Sequence, residues 1–292
     1  MTLLGHLRSC HSWLRQTLPP SRAYTRRQFE QLGARLDQLE GVYRETKSSP
    51  AVQEEVLAVL RLLQPKKAID RAKIRVGTNG DGGYVQLDDL EGISHALSFG
   101  IGGNDDWDLA MAEAGIPVEQ FDHSVARAPS THPLLHFHRQ MISIDAGPQR
   151  ETTSSLVTRH SKLAAPDLIL KMDIENSEWE IFDHMDEAIL ARFTQIVCEF
   201  HYMSHLVNAD FRARARRVFR KIGKYFSPIH IHGNNCGAIA IVCNIALPDL
   251  IEITYASKAR YSFVDSYETF PTPFDVPNCR QSPDIMLGMF RF

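Results

Sequence analysis

Acids and histidines in the second half of the chain recur at one kind of place, the end of an apolar run. Asp173 and Glu175 follow the run at 167–172, Glu199 and His201 close the run at 195–200, and His230, His232, Asn234 and Asn235 close the run at 227–232. If these runs are strands of an open α/β sheet, ligands bind beyond their carboxyl ends, so the side chains are predicted to converge on one edge. Asp, Glu and His together can supply a general base with its orienting partner, or can ligate a hard or borderline divalent ion. A hydrogen-bonded network that only satisfies strand ends is the alternative without chemistry. Asp173, Glu199, His201 and His232 are the candidate catalytic residues. No pair among them has a recognised metal spacing, so a metal-free base is expected and a divalent metal ion is the less favoured reading. His230 and His232 alternate on one face, and His232, beside Gly233-Asn-Asn235, is the better candidate. His123, His132, His136 and His138 lack a strand-end partner and are expected at the surface.

A cofactor site is predicted upstream. Residues 95–103 read as a buried strand ending in a glycine-rich turn, residues 104–115 as a helix closed by glycine, and residues 117–122 as a second strand ending in an acid. This is the nucleotide-binding half of a doubly wound sheet, with Asp122 placed to accept ribose hydroxyls. A dinucleotide turn would need glycine where Asp105 stands, followed here by Asp106 and Asp108, and carboxylates there repel phosphate. S-adenosylmethionine (SAM) carries the same adenosine with an ammonium and a sulfonium instead, so it is the expected cofactor. The alternative is that these acids only complement the helix dipole. Two short strands around Asn79-Gly-Asp-Gly-Gly83 form a predicted hairpin, in which Gly82 and Gly83 before Tyr84 also permit close backbone approach to a ligand.

The elements that must position these residues continue the alternation. Residues 140–145 are predicted as a third strand ending in Asp145, and Thr152 caps a helix. A fourth strand at 167–173 precedes a helix at 177–185, and a fifth at 195–201 precedes a basic helix at 211–225. A sixth lies at 227–232, and residues 237–246 and 250–255 are expected to close the sheet as an antiparallel pair. The predicted class is α/β, a doubly wound and mostly parallel sheet. With 292 residues and 43% hydrophobic content, the chain can bury a full core. Its formal charge of -3 gives no global drive toward nucleic acid or anionic membrane. Five cysteines without a Cys-x-x-Cys suggest reduced thiols and a cytoplasmic setting. Residues 1–29 hold Arg8, Arg15, Arg22, Arg26 and Arg27 but no acid. They are read as a helix docking on the domain or on a second copy, with organelle targeting or membrane-surface binding as alternatives. Two amphipathic helices split at Ser48-Ser-Pro50 follow, so residues 1–70 are expected to be a helical extension and residues 71–292 the cofactor-binding domain.

Residues 170–180, Leu-Lys-Met-Asp-Ile-Glu-Asn-Ser-Glu-Trp-Glu, resemble the Lys-x-Asp-x-Glu-Gly-x-Glu hallmark of the FkbM family of SAM-dependent methyltransferases, with Asn176 in place of the usual glycine. Arg75-Val-Gly with Asp81-Gly-Gly-Tyr-Val85, Ser98-Phe-Gly-Ile-Gly-Gly103, Glu199-Phe-His201, His232-Gly-Asn-Asn235 and Asp275-Val-Pro-Asn278 are similar to a branch related to methyltransferase-like proteins. The resemblance spans 75–285. It implies a class I methyltransferase fold with SAM as donor, and O-methylation of a sugar, glycan or natural product. It further implies that Gly100, Gly102 and Asp122 carry the cofactor and that Asp145 lies near its adenine. The turn that holds Gly83 and Tyr84 would close over it, while Asp173, Glu199 and His201 face the methyl acceptor. Nothing here resembles the Asn/Asp-Pro-Pro-Tyr of amino methylases, so a small-molecule or glycan acceptor is expected and nucleic acid is not. A non-catalytic SAM- or nucleoside-binding subunit is the competing reading.

Overall fold

The computed structural model describes residues 49–292. The arginine-rich segment and the first of the two amphipathic helices lie outside these residues. Seven strands form the main sheet: β1 (His95–Phe99), β2 (Val118–Phe121), β3 (Leu135–His138), β4 (Leu168–Met172), β5 (Phe193–Phe200), β6 (Phe226–Gly233) and β7 (Ile251–Ser257). Their spatial order is β3-β2-β1-β4-β5-β7-β6. Neighbouring pairs from β3 to β5 are parallel, and β7 runs antiparallel to both β5 and β6. This is the expected doubly wound, Rossmann-like class.

Every residue of β1, β4 and β5 is buried. Such near-continuous apolar strands must be covered on both faces. Alternate side chains therefore enter two cores: Leu97, Leu170 and Ile196 join one, and Ala96, Ile169 and Val197 the other. The first core is covered by helices α1 (Pro50–Leu60), α3 (Thr153–His160), α4 (Glu178–His184), α5 (Glu187–Leu190) and α6 (Ala209–Tyr225), and the second by α2 (Asp106–Glu113). Asn208 caps α6 by accepting the N–H groups of Asp210 and Phe211, and Ala215, Val218, Phe219 and Ile222 form its buried stripe. Val56, Val59, Leu60 and Leu63 lie in the same buried cluster as that stripe. Residues 50–63 thus contribute to the sheet's own core. Of the basic residues in α6, Arg212 is itself buried against Glu55 at 2.8 Å.

Two expectations are corrected. The third strand is Leu135–His138, and the segment expected there forms instead a small ribbon in which Met141–Ile142 pairs with Arg150–Glu151. Asp145 therefore stands at no strand end of the sheet. The expected closing pair also separates. Ile239–Val242 and Ile245–Pro248 make their own hairpin, turned through Cys243 and Asn244 at positive φ, while β7 inserts between β5 and β6. No helix among the described residues is long and apolar enough to cross a membrane.

Candidate functional site

Because β1 has β2 on one side and β4 on the other, the sheet reverses its winding there, which is where open α/β sheets bind ligands. Gly100 ends β1 with φ +78°, and a Cβ on it would stand 1.7 Å from the Asp173 carbonyl oxygen, so only glycine fits. Asp122, at the end of β2, ties this turn. Its Oδ2 accepts the N–H groups of Ile101 and Gly102 at 3.0 and 2.9 Å, and its Oδ1 accepts the N–H and hydroxyl of Ser124 at 2.7 and 2.6 Å. Burial raises the Asp122 pKa, but these hydrogen bonds outweigh it and hold the carboxyl below its ordinary value.

A cleft of about 440 Å³ opens beside the turn, walled by Gly82, Tyr84, Gly100, Gly102, Asp122, Lys171 and Asp173 among others. It adjoins a smaller recess of about 130 Å³ bounded by Phe121, Gln140, Met141, Ile142 and Ile174. Asp81 and Glu175 add their acids to the first. Lys171 donates to the Gly100 carbonyl at 2.5 Å, so this lysine is engaged by the turn itself.

The structure moves several sequence-predicted residues away from the cleft. Asp105 and Asp108 are buried under the turn, where Gln120 donates to both at 3.1 Å. The negative wall of the cleft thus comes from Asp81, Asp122, Asp173 and Glu175 instead. Gly83 packs inside its hairpin, where a Cβ would meet the Thr78 carbonyl at 2.0 Å, and Gly82 is the glycine that lines the cleft. Arg75 fixes that turn by donating to the Thr78 and Gly80 carbonyls at 2.9 and 2.7 Å. Asp145 is exposed and lines neither space, because the ribbon carries Gln140 to Ile142 past the recess instead.

Asp173, Glu199 and His201 do come together, with ligating atoms within 4.8 Å of one another. Tyr84 donates its hydroxyl to Asp173 at 3.2 Å. Glu178 accepts both the ring Nδ1–H of His201 at 2.7 Å and its backbone N–H at 2.8 Å. That leaves Nε2 pointed at the cleft acids, 3.8 Å from Asp173 and 3.4 Å from Glu175. Burial lowers the His201 pKa, yet Glu178, Asp173 and Glu175 together raise it above the ordinary histidine value. Burial raises the pKa of Asp173, and burial with the neighbouring charges of Asp173, Glu252 and Asp81 raises that of Glu199 well above the carboxylate range. Asn234 donates to Glu199 at 2.9 Å. Crowded carboxyls of this kind call for a proton or another cation, and two acids with one imidazole also form a donor set that a divalent ion accepts.

His232 does not belong to this group. Its Nδ1 lies 3.1 Å from Glu252 and its Nε2 3.0 Å from Asp284, both within hydrogen-bond reach. Burial works against its charge, but the Glu252 hydrogen bond and the charges of Glu252, Asp275 and Asp284 lift its pKa to about 9. With both nitrogens engaged by carboxylates and its charged form favoured, His232 is not brought together with Asp173, Glu199 and His201. It fastens the C-terminal tail to β6 and β7 instead.

No family model matches this chain, and no curated protein does. Among solved structures it is similar to the Methanococcus jannaschii fibrillarin pre-rRNA processing protein, with 10% identity, a TM-score of 0.35, and coverage of 67% of this chain and 86% of that one. The fold assignment rests on the sheet order given above.

Glu178 and Ser124 shape the site without having been singled out by the sequence, and Asn234, singled out only as a strand-end residue, does so through Glu199. Glu178 is the last acid of the hallmark-like segment at 171–178, and that spacing was the available signal. Positive φ at Glu175 and Asn176, +55° and +86°, explains why glycine would suit position 176, and asparagine is among the residues that best tolerate that conformation.

Proposed function

We propose that this chain is a SAM-dependent methyltransferase acting on the hydroxyl oxygen of a sugar, glycan or natural product, within or near the FkbM group that residues 171–178 resemble. The observation that carries the reading is the charge of the cleft at the switch point. Asp81, Asp122, Asp173 and Glu175 line it, and Lys171 in its wall is bonded to Gly100. A pyrophosphate would meet these acids, whereas an adenosine bearing ammonium and sulfonium groups complements them. The sheet order, with one antiparallel strand between the fifth and sixth, supports the class I methyltransferase form of the Rossmann-like fold.

When bound, SAM supplies a methyl group made electrophilic by its sulfonium. Asp122 and the turn from Gly100 to Gly102 would hold the ribose, and the recess of Phe121, Met141 and Ile142 would take the purine. Methyl transfer is an in-line displacement, so the remaining work is alignment and removal of one proton. Asp173, on the cleft wall, accepts the hydrogen bond of the acceptor hydroxyl. His201 stands behind it as the proton reservoir, and Glu178 fixes its tautomer.

Calorimetry on the purified chain tests the reading: SAM and S-adenosylhomocysteine bind and NADH does not. Binding of NADH with none for either sulfur nucleoside refutes it. Mass spectrometry of glycans, lipids and small alcohols incubated with protein and SAM then identifies the acceptor by its added methyl. Binding without methylation of any acceptor class favours a non-catalytic SAM-binding subunit.

A further inference from the structure

A second group of titratable side chains lies at the other end of the sheet from the cleft. His95 begins β1, five residues before Gly100 and so roughly 16 Å away along the strand. Glu119 is the second residue of β2, His136 and His138 lie on β3, and His160 ends α3. Four imidazoles thus surround one carboxylate. Glu119 Oε1 lies 3.0 Å from His136 Nδ1 and 3.7 Å from His160 Nδ1, and its Oε2 lies 2.7 Å from His138 Nε2. The rings of His95 and His160 have centroids 4.7 Å apart and are tilted by 56°, so they do not stack. His95 is only 8% exposed, and its Nδ1 is buried without a hydrogen-bond partner.

We propose that His95, Glu119 and His160 form a zinc-binding site distinct from the cofactor cleft. One ligating atom from each lies within 4.8 Å of the other two. Donors on a tetrahedral zinc stand roughly 3.4 Å apart, so side-chain adjustments of about 1 Å close the set. Two imidazoles and a carboxylate are zinc ligands by type, and His95 keeps a buried ring nitrogen, Nδ1, that no hydrogen bond satisfies. His138, bonded to the other oxygen of Glu119, orients that carboxylate from behind, and such supporting partners are worth roughly 10- to 100-fold in metal affinity. His136 or water completes the fourth position. The site is independent of the methyltransferase reading, since none of its residues lines the cleft.

The test uses the full chain, stripped with chelator and titrated with zinc chloride against a chromophoric competitor. The expected result is one zinc per chain, a higher melting temperature with zinc, and intense visible bands when cobalt replaces it. His160→Ala, at a helix end, and Glu119→Gln are expected to weaken zinc by more than about 100-fold, and His138→Ala by about 10- to 100-fold. His201→Asn, which alters the acid–histidine set at the cleft, leaves zinc affinity unchanged. Circular dichroism establishes that each variant is folded before titration. A stripped protein that takes up no zinc overturns the proposal. So does zinc uptake that survives in His160→Ala and Glu119→Gln but disappears in His201→Asn.

Discussion

The charge on His232 should appear in the stability of the fold. Its imidazole is 2% exposed and lies between Glu252 and Asp284, with a pKa lifted from 6.5 to about 9. At 1.36 kcal/mol per pH unit, that difference corresponds to about 3 kcal/mol of folding free energy. Because the folded pKa is the higher one, the contribution is complete below about pH 6.5 and is lost as pH rises through about 9. Glu252 and Asp284 are themselves little exposed, at 8% and 15% of their side chains, so solvent screens the interaction only weakly. Urea unfolding followed from about pH 6 to about pH 10 is expected to show stability falling by up to about 3 kcal/mol. In His232→Gln that part of the pH dependence disappears, and stability at pH 6 falls by a similar amount because buried Glu252 and partly buried Asp284 lose their cation. Turnover per folded molecule, measured well below the melting temperature, stays within a few-fold of the parent. A pH dependence identical in the parent and His232→Gln would refute the electrostatic account. Loss of turnover in a fully folded His232→Gln would return this histidine to the reaction.

Removing the Asp122 carboxylate tests the turn: Asp122→Ala is expected to weaken SAM binding by about 1.5–3 kcal/mol in calorimetry while circular dichroism stays native. His201→Asn should lower turnover by about 100-fold or more with SAM affinity unchanged. The parent's rate should rise with pH through a value above the ordinary 6.5 of histidine, since the base works deprotonated and its pKa is raised. Glu178→Gln removes the nearest negative charge from His201, so that limb of the pH–rate profile should move to lower pH, which a purely structural role would not produce. The metal-free reading of the cleft predicts that turnover survives chelation. Chelator-sensitive turnover that one divalent ion restores would reassign Asp173, Glu199 and His201 as its ligands. Deleting residues 1–28 should leave SAM binding intact, because the described residues that line the cleft all lie beyond residue 80. Light scattering before and after deletion then shows whether that segment joins two copies.

Much of the frame was legible in the residues. A strand covered on both faces is largely apolar, so the strands at 95–99, 168–172 and 195–200 declared themselves without any tertiary information, while the start of the last at Phe193 did not. A turn that must bring its backbone against another strand has to be glycine, and Gly100 was recognisable for that reason. Asp122 was recognisable because its position follows from the strand–turn–helix–strand order alone. Tertiary structure decided which charges face which space. Asp105 and Asp108, at the N-cap and in the first turn of α2, stand close to the cleft in sequence yet are buried under the turn, where both accept from Gln120. His201 acquires its tautomer from Glu178, on a different element 23 residues earlier. His232 becomes a fixed cation only because β7 inserts beside β6 and brings Glu252 opposite it, and because the tail delivers Asp284. Local periodicity reports which face of a strand a side chain takes, but a group's charge is set by neighbours that strand order brings from far along the chain. The histidines around Glu119 show the same limit. Of these, His136 and His138 were expected at the surface, and only the parallel pairing of β1, β2 and β3 with the end of α3 gathers them with His95 and His160 around one carboxylate.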